Sequence, residues 1–122
     1  MKRYDHIDLR VSNLAAATRF YETLLPALGF TRRVEIEGWL QFESEEEGMA
    51  PFFGVTESTD HMANENRIAF GAESREEIER LAAIVADAGG TAIEGPMEYT
   101  PGYHAVFFED PCGNRFEICH RT

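Results

Sequence analysis

The chain repeats itself. When Asp5-His6-Ile7-Asp8-Leu9 is laid over Asn66-Arg67-Ile68-Ala69-Phe70, Leu28-Gly29 falls on Gly89-Gly90 at the same offset. Two copies that begin with a strand pattern and reach a glycine stop at equal distances must hold the same supersecondary unit, so topologies without internal symmetry are set aside at once. Between these landmarks each copy carries a helix. Asn13 or Ser12 can cap the first, and Leu14, Ala17, Phe20, Tyr21, Leu24 and Leu28 follow at three- and four-residue spacing. Ser74-Arg75-Glu76-Glu77 reads as a capping box for the second, with Ile78, Leu81, Ala82 and Val85 as its apolar stripe. Gly89-Gly90 supplies the left-handed stop that helix ends favour.

Three strand patterns follow each helix: Phe30 to Ile36, Trp39 to Glu43 and Pro51 to Thr56, then Thr91 to Pro96, Tyr103 to Glu109 and Arg115 to His120. Asp110-Pro111-Cys112-Gly113-Asn114 is a turn between the last two, since proline presets one dihedral and glycine and asparagine tolerate positive ones. The acidic run Ser44-Glu45-Glu46-Glu47-Gly48 reads as a solvated hairpin tip. The expected architecture is α+β: two βαβββ modules, about 1–60 and 64–122, forming a curved mixed-sheet cup with helices on the outside. With 122 residues, 43% of them hydrophobic, there is material for one core, hence a single domain over 1–122.

Strand alternation assigns faces. Ile7, Leu9 and Val11 form an apolar face suited to a helix, leaving His6, Asp8 and Arg10 on the other. In the fifth strand Arg67 shares its face with Ala69 and Gly71. In the last, Arg115, Glu117 and Cys119 lie opposite Phe116 and Ile118. Three strands thus send ionisable groups to one surface, where a curled sheet would gather them into a concave site.

Charge excludes several functions. Eleven basic against 22 acidic side chains give a net charge of -11, which leaves no basic stripe for nucleic acid and none for an anionic membrane surface. No signal-peptide pattern opens the chain, and a cytoplasmic location is expected. Cys112 and Cys119 match neither a disulfide framework nor a zinc spacing and read as reduced thiols. No phosphate-cradling glycine loop or dinucleotide fingerprint occurs, so no nucleotide cofactor is expected.

Tyr4 through Leu14, Phe20-Tyr21, and Ala105 through Glu117 with its Glu-Asp-Pro-Cys-Gly-Asn core resemble the vicinal oxygen chelate superfamily, which contains glyoxalase I, bleomycin-resistance proteins, fosfomycin-modifying enzymes and extradiol dioxygenases. The resemblance spans essentially the whole chain. It implies a divalent metal (Zn, Ni, Mn or Fe) held from the first, fourth, fifth and eighth strands. His6 matches the first-strand ligand and Glu117 the last, the latter also the catalytic carboxylate. The fifth-strand position is Arg67, which has no lone pair to offer a metal. The fourth falls at Phe53, or at Phe52 if the register slips by one.

Two readings follow. In one, a metal at His6 and Glu117 serves a lyase or isomerase of the glyoxalase type. In the other, Arg67 pairs with Glu117 in place of the metal, and the cup binds a drug or metabolite through Asp8, Trp39, Gln41, Phe53, Arg67 and Tyr103. His104, opposite Tyr103 by alternation, is a further pocket candidate whose direction, cup or helix side, the pattern leaves open. A third class is an interaction or regulatory module. The resemblance also implies a homodimer.

Overall fold

A computed structural model describes residues 3–122. The chain divides between Met62 and Ala63 into two compact units. Unit 1 holds β1 (His6–Val11), α1 (Leu14–Ala27), β2 (Arg32–Ile36), β3 (Trp39–Glu43) and β4 (Phe52–Glu57). Unit 2 holds β5 (Arg67–Gly71), α2 (Arg75–Asp87), β6 (Thr91–Thr100), β7 (Tyr103–Glu109) and β8 (Arg115–Arg121). Each is a βαβββ module with one mixed four-stranded sheet, ordered β1-β4-β3-β2 and β5-β8-β7-β6. The first and last strands of each module run parallel and the other pairs antiparallel.

The helices begin where their caps lie. Asn13 Oδ1 accepts the amide of Ala16 at 3.1 Å, and Ser74 Oγ accepts that of Glu77 at 3.1 Å. Glu77 Oε1 reaches back to the amide of Glu73, one residue before the cap rather than the cap itself. Both helices end at glycines of positive φ, Gly29 at 100° and Gly89 at 97°. Asp110 organises the β7–β8 turn: its Oδ1 accepts the amides of Cys112 and Asn114 at 2.7 and 3.0 Å, and Gly113 takes a φ of 91°.

Each helix packs against one face of its own sheet. In unit 1 the buried stripe Ala17, Phe20, Tyr21, Leu24 and Leu25 meets Val11, Leu40, Phe42, Phe53 and Val55. In unit 2 Ile78, Leu81, Ala82 and Val85 cover Val106, Phe108, Phe116 and Ile118. The side chains relevant to function stand on the opposite, helix-free faces.

Several expected strand limits move by a residue or two, and one moves further. The sixth strand was expected to stop at Pro96, yet β6 continues to Thr100. It is the edge strand of its sheet, where the missing proline N–H costs no ladder bond, and its pairing with β7 is broken by register shifts.

Candidate functional site

The registers lay out each helix-free face row by row. In unit 1 the rows across β1, β4, β3 and β2 are His6–Phe52–Glu43–Arg32, Asp8–Gly54–Gln41–Val34 and Arg10–Thr56–Trp39–Ile36. His6 lies flat on Phe52, with ring centroids 4.3 Å apart and planes within 4°. Its Nδ1 meets Asp5 Oδ2 at 2.7 Å; a carboxylate only accepts, so Nδ1 carries the hydrogen, which in the neutral imidazole leaves the lone pair on Nε2. Arg10 holds Asp8 at 2.6 Å. His6, Asp8, Trp39, Gln41, Phe52 and Gly54 enclose a niche of about 60 Å³. Four of these six residues, His6, Asp8, Trp39 and Gln41, are among those expected at the site from the sequence.

Phe53 is not among them. Its register partner is Ile7, it is fully buried, and its ring packs on Tyr21 and Phe30. The fourth-strand position facing His6 is Phe52. Two adjacent phenylalanines carry no parity signal of their own, and only the pairing with β1 decides between them.

In unit 2 the rows across β5, β8, β7 and β6 are Arg67–Arg115–Glu109–Thr91, Ala69–Glu117–Phe107–Glu94 and Gly71–Cys119–Ala105–Met97. Glu117 is only 6% exposed, and it accepts a hydrogen bond from the Tyr103 hydroxyl. That bond, with burial, holds the proton on Tyr103 and pushes its pKa above the usual phenol value. Burial and the charge of Glu117 push the Cys119 thiol up as well. Arg67 reaches across β8 to lay its guanidinium 4.7 Å from the centroid of Phe107, and Tyr99 meets the same ring edge-on at 5.1 Å.

The anticipated ion pair between Arg67 and Glu117 is therefore not formed. Ala69, not Arg67, stands opposite Glu117; Phe107 takes the guanidinium and Tyr103 takes the carboxylate. His104 also departs from the pocket. It is buried on the helix side, with Nε2 3.4 Å from Glu79 of α2. Arg115, which alternation put on the same surface as Arg67, is the register partner of Arg67, and Phe107 lies under the Arg67 guanidinium.

A model of the glyoxalase/bleomycin resistance protein/dioxygenase superfamily matches residues 3–118. The chain belongs to this superfamily. Among solved structures, a glyoxalase/bleomycin resistance protein from Albidiferax ferrireducens is similar with a TM-score of 0.80 and 26% identity, covering 99% of this chain and 100% of that one. The fosfomycin resistance protein FosX from Mesorhizobium loti matches with a TM-score of 0.72 and 19% identity over 100% of this chain and 94% of its own. A mutant FosX from Listeria monocytogenes, solved with Mn(II) and 1S,2S-dihydroxypropylphosphonic acid, matches with a TM-score of 0.72 and 19% identity, covering 100% and 92%. No curated protein gives a significant match.

Superfamily membership raises the question of a metal, and this chain's donor set does not fit one well. His6 is prepared, with Nε2 available and Asp5 behind it. Glu117, however, is bonded to Tyr103, and one flanking row carries two guanidinium-bearing residues, Arg67 and Arg115. Where a third ligand is usual for a catalytic metal, Arg67 places a positive charge. Among the described residues no three His, Cys, Asp or Glu side chains cluster to hold an ion. No helix among them is long and apolar enough to cross a membrane.

Proposed function

We propose that this superfamily member binds a small organic molecule on the helix-free faces of its sheets without a resident metal, its two modules working as one domain. The observation that carries this reading is the engagement of both groups expected at the metal in unit 2: Glu117 is bonded to Tyr103, and Arg67 is seated on Phe107. Together they present a fixed carboxylate, a fixed cation and two aromatic rings. Such a surface recognises polar groups by direction and apolar groups by contact. In unit 1 the niche over Gly54 adds Asp8 and Gln41 as hydrogen-bonding groups between the His6–Phe52 stack and Trp39.

The other reading, a divalent-metal-dependent lyase or isomerase, draws on His6, whose Nε2 is free to ligate. One experiment separates the two. Protein purified without chelator is assayed for bound metals, then melted with Zn, Ni, Mn or Fe and, separately, with a metabolite panel. A ligand that binds only the folded state raises the melting temperature by mass action. Stabilisation by panel compounds in metal-free protein supports the proposal. Stoichiometric metal that is lost in both His6→Ala and Glu117→Ala overturns it. A cytoplasmic, isologous homodimer is the expected working form; light scattering at a monomer mass would refute the dimer.

A further inference from the structure

The first row of unit 2 contains an unusual juxtaposition. Arg67 and Arg115 are register partners on neighbouring parallel strands, so two like charges stand side by side, an arrangement that destabilises a sheet unless something offsets it. Glu109 is the partner of Arg115 on the other flank, and Glu94 is the partner of Phe107 one row on. All four charged residues line one cavity of about 230 Å³, whose remaining wall is Ala92, Phe107, Phe108 and Phe116.

Five other arginines find carboxylates: Arg10 with Asp8, Arg32 with Glu43, Arg33 with Glu22, Arg75 with Glu98 and Arg80 with Glu77. Among the described residues no ion pair joins Arg67 or Arg115 to Glu94 or Glu109, although opposite charges occupy the same cavity wall. A simple anion entering this cavity meets two carboxylates, and a simple cation meets two guanidiniums. A molecule that carries both charges on one short carbon frame satisfies both sets at once, through forked N–H donation to its carboxylate and acceptance from its ammonium. The cavity is smaller than the roughly 300–1,000 Å³ of sites for drug-sized ligands, which limits the guest to a few heavy atoms beyond the charged groups.

We propose that this cavity binds a small zwitterion, an amino acid or an amine-bearing carboxylate of similar size, with Arg67 and Arg115 on the carboxylate, Glu94 and Glu109 on the ammonium, and the Phe107 ring beside the side chain. The assignment rests on the small-molecule reading above and names the ligand class for unit 2. A ligand with no net charge is also not repelled by a protein of -11.

Three probes that share one side chain, none larger than leucine, test it: L-leucine, which carries both charges; 4-methylpentanoate, which carries only the anion; and 3-methylbutylamine, which carries only the cation. Titration by calorimetry or by amide chemical shifts is expected to give leucine a Kd at least tenfold below either analogue. Arg115→Gln and Glu109→Gln should each weaken leucine about tenfold, while Arg115→Lys, which keeps the charge, should recover part of the loss. Far-UV circular dichroism verifies that the variants are folded. Equal binding of all three probes, tighter binding of either analogue, or variants that bind leucine as the parent does would each overturn the zwitterion assignment. Absence of leucine binding overturns it too, and the metabolite panel then shows separately whether the broader small-molecule reading stands.

Discussion

Replacing Tyr103 by phenylalanine removes one hydroxyl and leaves the ring. That hydroxyl is the donor to Glu117, a carboxylate only 6% exposed. Hydrogen bonds to charged groups contribute about 1.5–3 kcal/mol, and a buried acceptor left without its donor loses that much or more. The nearby Cys119 thiol is a weak substitute, so the full loss is expected. For a chain of this length a loss of about 1 kcal/mol lowers the melting temperature by roughly 3–6 °C, which puts Tyr103→Phe some 5–15 °C below the parent.

The pH dependence supplies a second, independent readout. The folded-state pKa of Tyr103 is raised above the phenol's ordinary value of 10.0. Stability from this group is therefore complete below pH 10 and is lost as pH rises from there toward the folded pKa, because the unfolded chain releases the proton first. Thermal melts between pH 8 and 11 should show a steeper alkaline decline in the parent than in Tyr103→Phe. Glu117→Gln keeps an acceptor for the hydroxyl and should be the milder change. Equal melting temperatures and equal alkaline slopes for parent and Tyr103→Phe would refute the reasoning.

Other substitutions follow from the face assignments. Phe53→Ala opens the fully buried site between Tyr21 and Phe30 and should lower urea-measured stability by about 3–5 kcal/mol, while Phe52→Ala, on the helix-free face, should cost well under half of that. Gly54→Ala should fold normally, since a Cβ there has no neighbour closer than 3.9 Å. Gly95→Ala, with φ at 87° and its Cβ 2.8 Å from the Ala105 carbonyl oxygen, should lose about 1–3 kcal/mol or more; equal melts for the two would contradict this. Cys119 should react with iodoacetamide at pH 8 more slowly than free cysteine, as followed by mass spectrometry, because its raised pKa leaves less thiolate.

The sequence made the module architecture and the faces of β1 plain, because Ile7, Leu9 and Val11 alternate strictly with His6, Asp8 and Arg10 and the repeat supplies the same pattern twice. Legibility ended where the answer depended on a partner strand. Phe52 and Phe53 are chemically identical, and only the pairing of Ile7 with Phe53 separates core from site. His104 follows Tyr103 in a strand whose polar and apolar positions do not alternate, and its turn toward α2 shows only once β7 is paired with β8. The expectation for Arg67 failed for a different reason. Opposite charge pointed to Glu117, while an aromatic face on a third strand lay within reach of the guanidinium and offered a rival partner of similar strength. The Arg67–Arg115 contact was hidden because the two residues are 48 positions apart in sequence and meet only through the parallel ladder.

The registers also correct which positions of the two modules correspond. Because Asp8 pairs with Gly54 where Ala69 pairs with Glu117, the counterpart of the buried glutamate is a glycine, not Phe53. At that one address one module has no side chain and so owns a hollow, while the other has a carboxylate and so owns a fastened floor. A chain built from two copies of unit 1 should accordingly carry two hollows and no fastened carboxylate.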